Sequence, residues 1–99
     1  MKMDQNTVIQ LLTSKNLNWK QVRGLTCVHT FHNGLYINLC RYSPGGKWVI
    51  SLNVDDFKRQ IDNIVDVTFS ENSNEYKLLL PVYNSAIQNS EKIVPEPQY

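Results

Sequence analysis

The dipeptide Asn33-Gly34 is the feature that most constrains the fold of this chain. Both central positions of a type I′ β-turn need a positive φ, which asparagine and glycine tolerate well, so the pair predicts a tight β-hairpin. The hairpin register decides which side chains share a face, because successive side chains of a strand point to opposite sides. The predicted cross-strand pairs are His32–Leu35, Phe31–Tyr36, Thr30–Ile37, His29–Asn38, Val28–Leu39 and Cys27–Cys40.

A second reversal is predicted at Ser43-Pro44-Gly45-Gly46. Proline presets φ for the start of a turn, and the glycines accept a positive φ. We expect this turn to close with Tyr42 opposite Lys47. Residues 25–53 would then form a three-stranded antiparallel meander.

The meander has one aliphatic face and one mixed face. A slip of one residue would exchange them, so the grouping of the aliphatic residues supports the register. The aliphatic face, predicted to be core, contains Val28, Thr30, Leu35, Ile37, Leu39, Trp48, Ile50 and Leu52. The mixed face contains Leu25, Cys27, His29, Phe31, Tyr36, Asn38, Cys40, Tyr42, Lys47, Val49, Ser51 and Asn53.

Two helices are predicted before the meander. The first covers residues 5–15, with an apolar stripe behind a cap at Asp4 or Asn6. The second is short and covers Trp19–Arg23, and Gly24 ends it, as glycine commonly does after the last helical residue.

A third helix is predicted to begin after Asn53 and to end near Asn63. Asparagine is a good helix cap. The apolar residues Phe57, Ile61 and Ile64 have a spacing that would place them on one side of this helix.

The C-terminal third predicts a β-hairpin and an arm. Val65–Phe69 alternates as a strand, and Tyr76–Val82 is predicted to return beside it. Pro81 lacks an N–H group, which places the end of the returning strand at a sheet edge. Residues 84–99 are predicted to form a short helix and an extended arm.

These elements predict one α+β domain spanning residues 1–99. Its order is N-terminal helices, an antiparallel three-stranded meander, a helix and a β-hairpin. About five antiparallel strands would carry the helices on one face, because the apolar side of each element must be buried against another.

Composition excludes several classes of function. The formal net charge is +1, which gives no broad basic surface for nucleic acid or an anionic membrane. No apolar run approaches the roughly 20 residues that span a bilayer, and no signal peptide is predicted. Two cysteines are too few for a disulfide-built scaffold, so we expect a cytoplasmic protein.

Cysteine and histidine on the mixed face allow three interpretations. Cys27, His29 and Cys40 could supply three ligands to zinc, but they lack the paired spacing of zinc motifs. A second interpretation is a Cys-His-Asn catalytic triad formed by Cys27, His29 and Asn38, but no oxyanion-hole donors are evident. The directly opposed cysteines could also form a disulfide under oxidation, although two half-buried thiols are favoured. We predict no catalytic residues, no metal ligands and no cofactor.

The candidate partner-binding residues are Phe31, Tyr36, Asn38, Tyr42 and Lys47. Aromatic residues are enriched in protein interfaces. Aromatic residues on a sheet beside cations also bind single-stranded nucleic acid.

We therefore predict a small non-enzymatic regulator or inhibitor that binds another protein, including a second copy of itself as a homodimer. It would act through the aromatic sheet face and the C-terminal arm. The size and the abundant asparagine fit a phage, plasmid or immunity setting. The alternatives are a single-stranded nucleic-acid-binding protein and, less favoured, a small metal-dependent or thiol enzyme.

Overall fold

The protein consists of two helices packed on one side of a six-stranded sheet. The computed structural model describes residues 4–22 and 26–93. Strands β1 to β5 are antiparallel neighbours in the order β5-β4-β3-β2-β1, and β6 extends the sheet in parallel to β1. The predicted α+β class is confirmed. The elements are α1 (Gln5–Ser14), β1 (Lys20–Val22), β2 (Cys27–His32), β3 (Leu35–Tyr42), a 3-10 turn (Pro44–Gly46), β4 (Val49–Asp56), β5 (Ile61–Ser70), α2 (Asn74–Asn89) and β6 (Glu91–Ile93).

The hairpin at Asn33-Gly34 forms as predicted. Both residues have a positive φ, 50° and 80°. All six predicted cross-strand pairs between β2 and β3 are present. The turn chemistry and the alternation of β2 and β3 specify the same register, so the assignment of their side chains to two faces is confirmed.

The register predicted for the second reversal is wrong by two residues. The connection is longer than a tight turn because Lys47 and Trp48 stay outside the strands, and Tyr42 pairs with Val49. A shift of two residues preserves the faces, since side chains alternate with a period of two. Trp48 is not in the core; its side chain is 40% exposed.

The second predicted helix is wrong, because residues 20–22 form β1. Lys20 pairs with His29 of β2 and with Glu91 of β6. The hydroxyl group of Thr30 donates to the carbonyl oxygen of Asn18 at 2.8 Å, which ties the preceding segment to the sheet. Sheet pairing on both sides outweighs the local capping pattern. Arg23, Gly24 and Leu25 lie outside the described residues.

The third predicted helix is also wrong. Strand β4 continues to Asp56, residues 57–60 form a turn, and β5 runs antiparallel to β4. The aliphatic alternation of Ile50 and Leu52 extends to Val54, which is fully buried. This continued period of two was the available signal for a strand.

The predicted strand Tyr76–Val82 belongs instead to α2, which includes Pro81. The Ser73 side chain caps this helix by accepting from the Tyr76 amide at 3.1 Å. Packing of the sheet-facing side compensates for the hydrogen bond that proline removes. The residues of α2 that are buried have helical spacing: Tyr76, Leu79, Tyr83 and Ala86.

The C-terminal arm predicted at residues 84–99 is only partly described. Residues 84–89 complete α2, and residues 91–93 form β6 rather than a helical turn. Residues 94–99 lie outside the described residues.

The core lies between the sheet and the two helices. Helix α1, predicted correctly, is capped by Asp4, whose carboxylate accepts from the Thr7 backbone amide at 2.8 Å. This hydrogen bond lowers the pKa of Asp4. The core residues are Val8, Ile9, Leu12, Val28, Leu35, Ile37, Leu39, Ile50, Leu52, Val54, Val65, Phe69, Tyr76, Leu79, Tyr83 and Ala86.

Tyr83 makes the folded state sensitive to alkaline pH. Its hydroxyl group donates to the Thr26 carbonyl oxygen at 2.6 Å, and burial raises its pKa above the ordinary 10.0, opposed by the charge of Arg41. The folded state therefore favours the neutral phenol. The contribution of Tyr83 to the free energy of unfolding is complete below pH 10.0 and is lost as the pH rises through the pKa of the folded state. We expect the free energy of unfolding to fall more above this pH in the native protein than in Tyr83→Phe, as measured by urea titration. Equal falls would contradict the prediction.

Candidate protein-binding face

The face of the sheet opposite the helices is uncovered in the described part of the chain. We call it the open face. None of its side chains is fully buried, whereas their alternating neighbours form the core. Strands β2 to β5 contribute Cys27, His29, Phe31, Tyr36, Asn38, Cys40, Tyr42, Val49, Ser51, Asn53, Asp55, Asp66, Thr68 and Ser70.

Strand pairing arranges these side chains in rows across the sheet. One row runs Phe31, Tyr36, Asp55 over β2, β3 and β4. The next rows are His29, Asn38, Asn53, Asp66 and then Cys27, Cys40, Ser51, Thr68, each over β2 to β5. The aromatic pair Phe31 and Tyr36 thus lies at one end of the open face, and amides, hydroxyl groups and sulfurs fill its middle.

An aromatic cluster is formed by Phe31, Tyr36 and Phe57, with His29 at its side. The Phe31 ring lies 4.8 Å from Tyr36 and 5.3 Å from Phe57, measured between centroids. Tyr36 and Phe57 are nearly parallel, with an interplanar angle of 9° and centroids 5.9 Å apart. Phe31 is 60% exposed and Phe57 53% exposed, so the cluster presents a large apolar surface to solvent.

Two loops meet at this end of the sheet and position Phe57. The Phe57 amide donates to the Gly34 carbonyl oxygen at 2.9 Å. A Cβ atom at Gly34 would lie 2.7 Å from Cγ of Lys58, so only glycine permits this approach without displacing the lysine stem. The β4–β5 turn is held by Asp56, whose carboxylate accepts from the Arg59 amide at 3.2 Å.

A disulfide bond links Cys27 and Cys40 between β2 and β3. Their Cα atoms are 4.1 Å apart, as in the narrow, non-hydrogen-bonded pairs of an antiparallel sheet. The favoured interpretation of two free thiols is therefore wrong. With both sulfurs bonded to each other, neither the zinc alternative nor the thiol nucleophile has its thiolate.

The disulfide lies in a shallow depression of about 370 Å³ in the middle of the open face. Amide, hydroxyl, imidazole and phenol groups surround it, which can donate and accept hydrogen bonds without carrying a fixed charge. The lining residues are Cys27, His29, Tyr36, Asn38, Cys40, Ser51 and Asn53.

The structure brings together three of the five predicted binding residues. Phe31 and Tyr36 are directly paired, and Asn38 is in the adjacent row. Tyr42 lies at the far end, where its hydroxyl group is 3.5 Å from the Ser51 hydroxyl oxygen. Lys47 is exposed in the connection before β4 and belongs to no strand.

Arg41 of β3 lies on the helix side of the sheet. Its Nε donates to the Tyr76 hydroxyl oxygen at 3.0 Å, and its guanidinium carbon is 4.0 Å from the Trp48 ring centroid. Sequence reasoning missed Phe57, which was assigned to a helix. The β-strand alternation up to Val54 is the signal that would have placed Phe57 in a turn.

A larger cavity, of about 830 Å³, lies on the helix side between the end of α1, the segment before β1 and α2. Its titratable lining residues are Lys15 and Lys20, and the other lining groups are mainly amides, hydroxyl groups and aliphatic carbons. The described lining residues include the hydroxyl-bearing Ser14, Ser85 and Ser90 and no carboxylate.

Comparisons with protein-family models, curated proteins and solved structures give no match to this chain. Within residues 4–22 and 26–93, no three His, Cys, Asp or Glu side chains are placed to share a metal ion. The described helices include none that is long and apolar enough to cross a membrane.

Proposed function

We propose that this protein is a non-enzymatic regulator or inhibitor that binds another protein through the open face. The observation that supports this proposal best is the exposed aromatic cluster on a sheet face that neither helix covers. Exposed contiguous apolar patches rimmed by polar groups are typical of interaction sites. The cluster of Phe31, Tyr36 and Phe57 has this character, with amide and hydroxyl groups beside it.

The chemistry of the open face supports a protein partner. Tyrosine supplies large contact area at low conformational cost, and asparagine and serine supply adaptable hydrogen bonds, which is the composition of antibody binding loops. Tyr36, Asn38, Ser51 and Asn53 line one depression beside the exposed phenylalanines. In this proposal the aromatic residues anchor the partner and the amides determine its orientation.

The proposal includes a homodimer as one form of the complex, with the C-terminal arm reaching the partner. A cytoplasmic location and a phage, plasmid or immunity setting also stay predictions. Disulfides are rare in reducing compartments, so the Cys27–Cys40 bond gives the cytoplasmic prediction a direct test. Alkylation and mass spectrometry of protein from native cells would show whether the pair is bridged there.

Single-stranded nucleic acid is the second candidate partner. Phe31 and Tyr36 on adjacent strands resemble the stacking platforms of single-strand binders. Such platforms also need cations along the phosphate path. The charged open-face residues in the paired rows of β1 to β5 are Asp55, Asp66 and, at the β1 edge, Lys20. Asp55 lies beside the aromatic rings and would repel phosphates there, so a protein partner is preferred.

The test is affinity capture with the native protein and two variants as bait. We expect the double variant Phe31→Ala/Phe57→Ala to lose at least about 2 kcal/mol of binding free energy, because exposed aromatic anchors dominate interfaces. Leu78→Ala is the matched control, since Leu78 is 54% exposed on α2, away from the open face. Light scattering of each protein alone would detect a homodimer. Equal capture by both variants, with no dimer that depends on Phe31 and Phe57, would refute the proposal.

A further inference from the structure

We propose that the partner presents an arginine side chain to the aromatic cluster, with Asp55 as the counter-charge. This inference rests on the proposed function and specifies the chemistry of the partner at that site. It follows from three features of the open face: the sign of its charges, the position of Asp55 beside the rings, and the exposure of those rings.

The paired rows of the open face carry more carboxylates than cations, although the chain has a net charge of +1. In the rows that strand pairing defines on β1 to β5, the charged residues are the carboxylates Asp55 and Asp66 and, at the β1 edge, Lys20, which pairs with His29. The charged residue of the row that carries Phe31 and Tyr36 is Asp55. The salt bridge found among the described residues joins Arg59 to Asp56. Neither open-face carboxylate is therefore neutralised by a described cation, and a cationic partner is complementary to the surface.

Asp55 lies directly beside the aromatic cluster, since it pairs with Tyr36 across β3 and β4. One of its carboxylate oxygens accepts a hydrogen bond from the backbone N–H of Asn63 at 2.8 Å. This contact orients the side chain, and a carboxylate has further lone pairs available to a partner. A group that stacks on Tyr36 would have its charged end within reach of Asp55.

The exposed rings favour a flat cation over a compact one. Guanidinium stacks on aromatic faces and pairs with carboxylate in a bidentate geometry, whereas the lysine ammonium is a strongly hydrated point charge. The protein makes such a contact on its helix side, where the Arg41 guanidinium lies 4.0 Å from the Trp48 ring centroid. Phe31 and Phe57 offer comparable surfaces that remain more than half exposed.

The experiment is a selection of random dodecapeptides displayed on phage against the immobilised native protein. Selected peptides are then measured against Tyr36→Ala, Asp55→Asn/Asp66→Asn and the control Leu78→Ala. We expect peptides whose affinity falls about tenfold or more with Tyr36→Ala to contain arginine. The same peptides should lose about fivefold or more with Asp55→Asn/Asp66→Asn, bind more weakly at high salt, and bind Leu78→Ala as they bind the native protein.

The outcomes separate this inference from the proposed function. Peptides that depend on Tyr36 but lack arginine, or that bind Asp55→Asn/Asp66→Asn normally, would overturn the arginine inference and keep the protein-binding function. A selection that yields no Tyr36-dependent peptide would count against both. A twelve-nucleotide single-stranded DNA that binds and displaces the peptides would favour nucleic acid instead. Circular dichroism of each variant, and Tyr36→Phe as a ring-preserving variant, control for misfolding.

Discussion

Replacing Leu79 by alanine is expected to lower the free energy of unfolding by about 2–5 kcal/mol, the usual cost of truncating a buried leucine. Leu79 is fully buried under the sheet, on the inner side of α2. The adjacent variant Leu78→Ala should change stability by no more than about 0.5 kcal/mol, because Leu78 is exposed. Urea unfolding monitored by circular dichroism measures both values.

This pair of variants distinguishes the helix from the strand that sequence alone predicts. In a strand from Tyr76 to Val82, Leu78 would share the apolar side with Tyr76 and Leu80, and Leu79 would point the other way. A larger loss for Leu78→Ala than for Leu79→Ala would therefore contradict the fold.

Removing the disulfide with Cys27→Ser/Cys40→Ser is expected to lower the free energy of unfolding by about 3 kcal/mol. The two cysteines are 13 residues apart, and closing a loop of about this length restricts the unfolded chain by that amount in the chain-entropy model. The hairpin should survive, since its turn and its six strand pairs do not depend on the sulfurs.

The measurement is urea unfolding of the native protein with and without a reducing dithiol, beside the double serine variant. Reduction should lower the stability of the native protein towards that of the variant and leave the variant unchanged. A native protein that is equally stable in both conditions, and that alkylates at both cysteines before reduction, would show that the bond does not form.

The central hairpin was predictable because its determinants are local. Asn33-Gly34 sets the turn, and the alternation on either side of it sets the same register. The two-residue error at the second reversal arose because Ser43–Lys47 is compatible with loops of more than one length. The shift of two residues left each side chain on its predicted face of the sheet, because side chains alternate with a period of two.

The helical content was harder to predict from sequence. The run Tyr76–Val82 contains Pro81, which indicates the end of a strand when only this short window is considered. The helical spacing becomes clear only when Tyr83 and Ala86 are included, beyond the proline. Residues 53–64 were predicted as a helix but form the end of β4, a turn and the start of β5. The capping residue and apolar spacing of a helix are present there, yet the two strands pair with each other.

The candidate site was predicted in part. Phe31, Tyr36 and Asn38 were placed on one face correctly, because cross-strand pairing follows from the register. The position of Phe57 beside Phe31 and Tyr36 was not predictable from local pattern, because it depends on the β4–β5 turn contacting the β2–β3 turn. Cys27 and Cys40 were correctly predicted to lie opposite each other, but they were predicted to be free thiols, whereas they form a disulfide.

Local sequence was enough to predict the first hairpin and the separation of aliphatic from aromatic side chains, since turn geometry and strand alternation act between near neighbours. The identity of β1 and α2, by contrast, depends on long-range packing, that is, on which element covers which surface of the sheet. Residues 20–22 became a strand because β2 and β6 pair with them, and residues 74–89 became a helix because the aliphatic face needed a cover. Burying the apolar faces of the helices and the sheet against each other stabilises the fold more than any local sequence preference. Both helices pack on the same side of the sheet. That choice left the aromatic face open.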